Sequence, residues 1–214
     1  MSENIKIENN ADIGNQTIIN IEHMSGNIAA SGPQVIYTLA AHTDPSDDEN
    51  STKIALSREY YNLFVVCGES FRTGRFILDR SRTWFFGNNP ETNEKFSQLD
   101  DEALLEIKRL PCIFADENKK YDGQTHPRQK CHLGVVTDIR IQAHAIIVYY
   151  KLFMAFRQQK LNELAPYLGI EGRVGVTELN TTHWAIKRVD LLGELQMAGV
   201  DVFGALNVNQ DAEG

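Results

Sequence analysis

The chain has few cysteines and none of the familiar catalytic or nucleotide-binding signatures. Its three cysteines are Cys67, Cys112 and Cys131. An odd number without Cys-x-x-Cys spacing does not fit the disulfide framework of a small secreted domain, so we expect reduced thiols in a cytoplasmic protein. No GxGxxG, P-loop, GxSxG or HExxH sequence is present. Whether the protein is an enzyme stays open, and a non-enzymatic role is preferred.

Long apolar runs and an excess of basic residues are also missing. The longest apolar run, Ala145 to Tyr150, is too short to span a bilayer, and the start of the chain has no basic segment followed by an apolar one. The net charge of −8 and a pI near 5.3 disfavour a general nucleic-acid or anionic-membrane binder, because such surfaces are basic. We expect no membrane partner, no metal and no cofactor.

The composition fits one folded domain with an appendage. With 214 residues and 42% hydrophobic residues, the chain buries enough surface to fold without a disulfide or metal. The patterns predict an α+β fold, in which about three helices pack on a bent, mainly antiparallel sheet or small β-barrel. We assign residues 1–33 to an N-terminal β appendage, 34–206 to the globular domain and 207–214 to a flexible tail.

The densest apolar region, Leu110 to Phe153, predicts the centre of that sheet. It contains Pro111–Ala115, then Leu133–Ile141 and Ala145–Phe153, which are joined by a short turn. The last segment is apolar on both faces, which is typical of a strand covered on each side. We therefore expect these two adjacent strands to form the buried middle of the domain.

Other patterns place elements around this centre. Tyr60–Cys67 and Arg75–Leu78 predict two strands joined by a turn. Helical spacing predicts a helix over about 99–109, preceded by a capping-box pattern at Ser97, and another from near His183 to Gly199. A further helix over 158–168 should break at its internal proline.

The first 33 residues are rich in asparagine, glycine and isoleucine. The fragments Gly14–Ile21 and Met24–Ile28 are similar, and their alternating isoleucines predict a β-hairpin on the edge of the main sheet. Low-charge segments of this kind also stack into cross-β or solenoid arrays. This segment resembles N-terminal segments of some bacterial conflict and anti-phage proteins. The resemblance implies recruitment of a partner or polymerisation through side chains in this segment: Ile19, Ile21, Asn27 and Ile28.

A cluster of arginines is the first candidate ligand site. Arg72, Arg75, Arg80 and Arg82 lie within eleven residues, close to Trp84. If the chain folds back about Asp79, these planar donors converge, as phosphate or carboxylate recognition requires, and the indole stacks on a base. The competing interpretation is an edge hairpin whose arginines form surface ion pairs.

The loop Asp116–Arg128 and the segment around His183 are the other candidates. At 13 residues, the loop is long enough to bind a partner, through Lys119, Tyr121 and His126. Its carboxylates and histidine match no known zinc spacing. His183 follows Glu178 closely enough for proton transfer, although a helix start packed on the sheet explains the same residues.

The preferred function is that of an accessory or adaptor protein in a bacterial system, such as anti-phage defence. It would bind a protein partner through residues 1–33 and the loop, and would form a homo-oligomer. The first alternative is binding of a nucleotide or nucleic acid by the arginine cluster. The second is a hydrolase that uses His126 or His183 with nearby carboxylates.

Overall fold

The chain forms two compact units, Met1–Ile54 and Ala55–Gly214. The structure, a computed structural model, describes residues 19–22, 34–39, 52–83, 90–173 and 175–202, with side chains from residue 55 onward within those ranges. The division falls after residue 54, whereas composition placed it after residue 33. The reason is that residues 34–39 pair with a strand of the preceding segment.

The first unit contains a three-stranded sheet. Its strands, in spatial order, are β1 (Ile19–Glu22), β2 (Gln34–Leu39) and β3 (Thr52–Ala55). β1 and β2 are antiparallel, with Ile21 opposite Val35. The hairpin expected within residues 1–33 lies mostly outside the described residues, among which the partner of β1 is β2. Ile19 and Ile21 lie on β1, whereas Asn27 and Ile28 lie outside the described residues.

The second unit is built on a six-stranded mixed sheet. Its strands, in chain order, are β4 (Tyr61–Val65), β5 (Arg75–Asp79), β6 (Pro111–Ala115), β7 (Lys130–Ile141), β8 (Ala145–Arg157) and β11 (His183–Lys187). A small separate hairpin consists of β9 (Gly172–Arg173) and β10 (Val176–Thr177). The sheet order is β11-β4-β6-β7-β8-β5. β4 and β6 are parallel, and the other neighbouring pairs are antiparallel. Thr83, beyond β5, forms a bridge to Trp184 of β11, so the sheet curls into a half-barrel.

Four α-helices accompany the described strands, which confirms the α+β class. They are α1 (Pro90–Phe96), α2 (Asp101–Ile107), α3 (Gln158–Glu163) and α4 (Leu191–Met197). Single 3-10 turns cover Arg80–Arg82 and Glu178–Asn180. α2 is the helix predicted over 99–109, but its N-cap is Asp100, whose carboxylate accepts a hydrogen bond from the Ala103 amide, rather than Ser97.

An aromatic cluster fills the concave side of the sheet. Phe64 is fully buried and stacks on Phe114 and Trp184, with ring centroids 5.4 and 5.1 Å apart. Phe76 meets Phe64 edge-on at 5.4 Å. Buried residues of α1 and α2, including Phe96 and Ile107, belong to the same cluster. This apolar burial is the main source of stability for the second unit.

β5 and β8 differ from expectation in their pairing and burial. The predicted hairpin between Tyr60–Cys67 and Arg75–Leu78 does not form, because β5 pairs with β8 and β4 lies between β11 and β6. β8 lies next to the edge strand rather than at the centre. Its first six residues alternate between partly exposed and buried, so only one face is covered. The apolar residues of β5 and β8 pair across the two strands, Phe76 opposite Val148 and Ile77 opposite Ile147.

The segment His183–Lys187 is a strand and not the start of a helix. All five of its residues are buried, and the indole of Trp184 donates a 3.0 Å hydrogen bond to the side-chain oxygen of Asn62 on β4. The Asn62 amide group in turn donates to the carbonyl of Ile107 at the end of α2. These contacts extend the segment across the sheet, and the helix that follows is confined to α4.

Candidate functional site

The loop Asp116–Arg128 leaves the sheet where the two parallel strands end. β4 and β6 point the same way, so the residues after them, Cys67–Gly68 and Asp116–Glu117, meet at one edge. Asp116 Oδ1 accepts hydrogen bonds from the backbone amides of Gly68, at 2.7 Å, and Glu117, at 2.8 Å. Glu117 Oε1 accepts from the amide and hydroxyl of Thr182, which follows the 3-10 turn before β11. The start of the loop is thereby fixed to the residues that follow β4 and to the residue that precedes β11.

Buried side-chain amides hold the rest of the loop. Asn118 is 4% exposed, and its Oδ1 accepts from Gln158 Nε2 at 2.8 Å and from Asn162 Nδ2 at 3.2 Å. Its own Nδ2 donates to Asn162 Oδ1 at 2.6 Å, so both functional groups of the amide are bonded. Gln158 Nε2 also donates to the Asp116 carbonyl, at 2.7 Å. Gln158 and Asn162, on one face of α3, thus hold this loop in place.

Further contacts reach the tip and the far end of the loop. Asn180 Nδ2 donates to the carbonyls of Asn118 and Lys120, at 2.9 and 2.8 Å. The backbone amide of Asp122 donates to the Gly175 carbonyl, which places the tip beside the β9–β10 hairpin. Gln159 accepts from the amide and hydroxyl of Thr125 and donates to the Gly123 carbonyl. Because backbone groups along the whole loop form hydrogen bonds with other elements, the loop has a defined conformation.

The fixed tip displays a basic and aromatic set of side chains. The Tyr121 residue is 69% exposed, and the Lys119 side chain is 72% exposed, with only a 3.8 Å contact to Asp116. Lys120 is exposed, as are Arg173 and Val176 on the adjoining hairpin. We call Lys119, Lys120 and Tyr121 the loop tip.

A buried charged cluster lies behind this loop. Glu178 Oε1 accepts from Lys187 Nζ at 2.5 Å and from the Glu171 amide at 3.0 Å. His183 Nδ1 lies 2.7 Å from the Thr181 carbonyl, and since a carbonyl only accepts, Nδ1 carries the proton. His183 Nε2 then faces Glu178 Oε2 at 3.5 Å. All three side chains are at most 7% exposed.

The electrostatics of this cluster favour a charged carboxylate. Burial raises the pKa of Glu178, but the contact with His183, the charge and hydrogen bond of Lys187 and the hydrogen bond from the Glu171 amide outweigh that effect, so the net pKa is lowered. Burial, followed by the Glu178 charge, raises the pKa of the neighbouring Tyr61 phenol, whose hydroxyl donates to the Leu168 carbonyl at 2.8 Å. Because His183 and Glu178 are sealed from solvent, the cluster stabilises the strand end and offers no accessible atom to a substrate.

His126, the other histidine of the hydrolase alternative, and the exposed cysteine Cys67 form no catalytic pair among the described residues. His126 is exposed, and its Nδ1 accepts from the Arg128 amide; among the described residues it contacts no carboxylate. Cys67 is exposed, but the charge of Glu117 raises the pKa of its thiol, with burial and a hydrogen bond to Glu117 acting in the same direction. Neither residue has the paired geometry of a nucleophile and base.

The structure separates the predicted arginines. Arg72 precedes β5 and Arg75 begins it, whereas Arg80 and Arg82 lie in the 3-10 turn after it. At about 3.3 Å per residue, the strand puts the two pairs at opposite ends. The chain does not fold back about Asp79, which instead caps the 3-10 turn by accepting from the Ser81 amide. Trp84 lies outside the described residues.

The residues that build the loop site were missed by sequence reasoning. Asn118, Gln158, Asn162 and Asn180 carry no charge and match no motif, and a buried amide looks like a solvated one in sequence. One signal was present: Gln158 and Asn162 are four residues apart, on one face of the predicted helix. A polar stripe of that kind, next to leucines, indicates hydrogen bonds to an irregular segment rather than to solvent.

The described residues contain no metal-binding cluster and no membrane-spanning helix, and the chain matches none of the proteins with which it was compared. In the part of the chain that the structure describes, no three His, Cys, Asp or Glu residues are arranged to hold a metal ion. No described helix is long and apolar enough to cross a bilayer. Comparison of the chain with protein-family models, with curated proteins and with solved structures finds no match.

Proposed function

We propose that this protein is a non-enzymatic adaptor that binds another protein through the loop tip. The observation that carries the proposal is that several buried side-chain amides hydrogen-bond to one irregular loop. Asn118 and Gln158 are buried and hydrogen-bonded, while Tyr121 and Lys119, which this network positions, remain exposed. A loop needed only to connect β6 to β7 would not require such support, because connecting loops tolerate mobility and change.

The physical advantage of this arrangement is preorganisation. Ordering a residue costs about 1–2 kcal/mol in backbone entropy, which a mobile loop would lose on binding. Here folding has already ordered the segment, so more of the contact energy appears as affinity. Tyrosine contributes a large contact area with few rotatable bonds, which is why it is common at binding hot spots.

The charge of the tip indicates the chemistry of the partner. Lys119 and Lys120 directly precede Tyr121 on the chain, while the protein as a whole has a net charge of −8. A local basic surface on an acidic protein selects a partner with carboxylates around a pocket for the ring. The resemblance of residues 1–33 to anti-phage recruitment segments supports a bacterial accessory role, with that segment as a second contact.

Pull-down with the proteins encoded by neighbouring genes, co-expressed with this chain, tests the proposal. Once a partner is captured, we expect Tyr121→Ala to weaken binding by about 30-fold, as loss of a hot spot does. Tyr167→Ala is the matched control, since Tyr167 is also exposed, at 66% against 69% for Tyr121, but lies outside the loop. Equal effects of the two variants would contradict a role for the loop tip.

Deletion of residues 1–33 tests the second contact. We expect the shortened chain to lose part of its partner capture or to change its oligomeric state, because the β1 strand lies in the deleted segment. Sedimentation and pull-down of the same preparations measure both quantities. Unchanged behaviour in both assays would remove the N-terminal segment from the proposal and leave the loop tip alone.

A further inference from the structure

Strand β5 is an open edge of the six-stranded sheet. It is the last strand in the order, and no described strand pairs with the outer side of Arg75–Asp79; the bridge from Thr83 to Trp184 of β11 lies beyond its end. The Tyr150 amide donates to the Gly74 carbonyl, and the Arg80 amide donates to the His144 carbonyl, so even-numbered residues direct their backbone groups toward β8. Because hydrogen bonding alternates along an antiparallel strand, Arg75, Ile77 and Asp79 direct theirs outward. The Arg75 carbonyl accepts from the Thr73 hydroxyl at 2.6 Å, and its second lone pair can accept from a partner strand.

The same three residues present their side chains to solvent. Phe76 and Leu78 are buried in the core at 3% and 1% exposure, whereas Ile77 is 66% exposed and Arg75 and Asp79 are exposed. An exposed strand edge with an exposed isoleucine is a template for pairing with another strand. The sequence of this edge, Arg-Phe-Ile-Leu-Asp, determines which partner fits.

We propose that two copies of this chain associate by antiparallel pairing of their β5 strands about Ile77. A two-fold axis at that residue places Ile77 opposite Ile77 of the second copy. It also places Arg75 opposite Asp79 of the second copy, and Asp79 opposite Arg75. Each of the three facing pairs exchanges two backbone hydrogen bonds, which gives a ladder of about six and joins the two sheets.

Charge complementarity selects a second copy over another kind of occupant. The register sets opposite charges against each other twice, and cross-strand pairs of opposite charge stabilise a sheet. Asp79 Oδ1 accepts from the amide and hydroxyl of Ser81, which holds the carboxylate at the end of the strand, where the guanidinium of the second copy would face it. Ile77 also lies opposite Ile147 on β8, so the joined sheet acquires a row of four isoleucines on its outer face.

The affinity of this association is expected to be modest. A five-residue edge buries less than the roughly 1,200–2,000 Å² of a stable interface. Arg72, Arg80 and Arg82 lie at the two ends of the ladder and repel their counterparts. We expect a dissociation constant on the order of 10–100 μM, which makes the dimer dependent on local concentration.

Charge reversal on the full-length chain, followed by sedimentation, tests the pairing. Arg75→Asp and Asp79→Arg each set like charges opposite one another at both positions, so we expect each to weaken self-association by about tenfold. Mixing the two variants restores both opposite-charge pairs, and the mixture should form a heterodimer with about the wild-type affinity. The double variant should recover self-association. Arg75→Asp changes no capping group and gives a decisive result if Asp79→Arg fails to fold.

Two matched variants separate this edge from other routes to self-association. Arg72→Asp reverses an exposed arginine outside the ladder and should not weaken the dimer. Ile77→Pro removes only an outward backbone donor, which an edge strand tolerates, and should abolish association while preserving the fold. A wild-type chain that remains monomeric near 100 μM overturns the proposal. So does a dimer that Arg75→Asp and Ile77→Pro leave intact, since association would then use another surface.

Discussion

Glu178 illustrates how one buried residue connects several elements of the second unit. Its carboxylate accepts from Lys187 on β11 and from the Glu171 amide before β9, and it faces His183 at 3.5 Å. Removing one partner of a buried ion pair leaves the other charge without compensation in a medium that solvates it poorly. The cluster therefore stabilises the segment that fixes the loop, without touching any ligand.

Glu178→Gln should lower the free energy of unfolding by about 3–5 kcal/mol at neutral pH, because Lys187 would lose its counter-charge. Urea denaturation measures the change. Glu163→Gln is the control, since the Glu163 side chain is 56% exposed and its carboxylate forms a long ion pair, 3.8 Å from Lys160 Nζ. That variant should change stability by less than about 0.5 kcal/mol. Similar small losses in both variants would show that the buried pair contributes little.

The same carboxylate predicts a dependence of stability on pH. The folded-state pKa of Glu178 is lowered, so its contribution is present above the usual carboxyl range and is lost as the pH falls through the folded pKa. The difference in stability between the wild type and Glu178→Gln should therefore narrow in acid. Denaturation of both proteins over a pH series isolates this group from the other carboxylates. A difference that stays constant would contradict the lowered pKa.

Cys67 should react slowly with thiol reagents although it is exposed. The Glu117 charge raises the pKa of its thiol, which reduces the reactive thiolate at neutral pH. Glu117→Gln should accelerate alkylation severalfold, about threefold to tenfold, because the repulsive charge is removed. Burial raises the pKa of Cys112 to about 12 and also raises that of Cys131, so neither should react in the folded protein. Labelling of more than one thiol per folded chain would contradict this assignment.

At the scale of elements, the β7–β8 pair depends on a glycine. The register between the two strands shifts between Leu133 and Gly134. A Cβ atom at Gly134 would lie 2.1 Å from the Lys151 carbonyl oxygen, far inside van der Waals contact, and a backbone atom cannot rotate away. Glycine is therefore required by the close approach of two backbones at this irregularity.

Gly134→Ala should destabilise the second unit by more than about 2 kcal/mol, because one of the two long strands must move. Thermal unfolding followed by circular dichroism measures the effect. Gly172→Ala on β9 is the matched control: its new Cβ would meet the Thr177 side chain at 3.4 Å and the Val176 carbonyl oxygen at 3.7 Å, both ordinary contact distances, and the position is exposed. A Gly134→Ala protein as stable as the control would show that the strands separate easily.

The elements that could be predicted are those with a strong local pattern. α2 combines apolar residues at helical spacing with an aspartate cap, and β6 and β7 are continuous apolar or alternating runs. His183–Lys187 was misassigned because its strand character depends on distant partners, Asn62 on β4 and the buried Glu178. Neither partner is visible in the five residues themselves, and the threonines before them resemble a helix cap.

The candidate site was predictable only in outline, for a similar reason. The length of the loop and its exposed Lys119, Tyr121 and His126 identify it as a possible contact. Whether the loop is rigid depends on Gln158 and Asn180, which lie 42 residues from Asp116 and 60 from Lys120. Hydrogen bonds over such separations follow from the fold and not from local sequence. The predicted convergence of the arginines was wrong because β5 pairs with the distant strand β8, so the chain does not fold back at Asp79.

For the whole molecule, the second unit has a hydrophobic core of its own. Among the residues whose side chains the structure describes, the buried ones run from Leu56 to Val202, and the unit begins at Ala55. A domain with its own hydrophobic core folds independently of an appendage. The second unit should therefore keep its fold without the first.

A chain that starts at Ala55 should therefore fold on its own. We expect it to unfold cooperatively, with a melting temperature within about 5 °C of that of the full-length protein, because it retains every buried residue that the structure describes. A second truncation, starting at Leu63, is the control: it deletes Tyr61 and Asn62 from β4, and with them the hydrogen bonds to Leu168, Ile107 and Trp184. That shorter chain should lose its cooperative transition. If the chain from Ala55 also melted without one, the first unit would have to contribute to the core, and the two units would be one folding body.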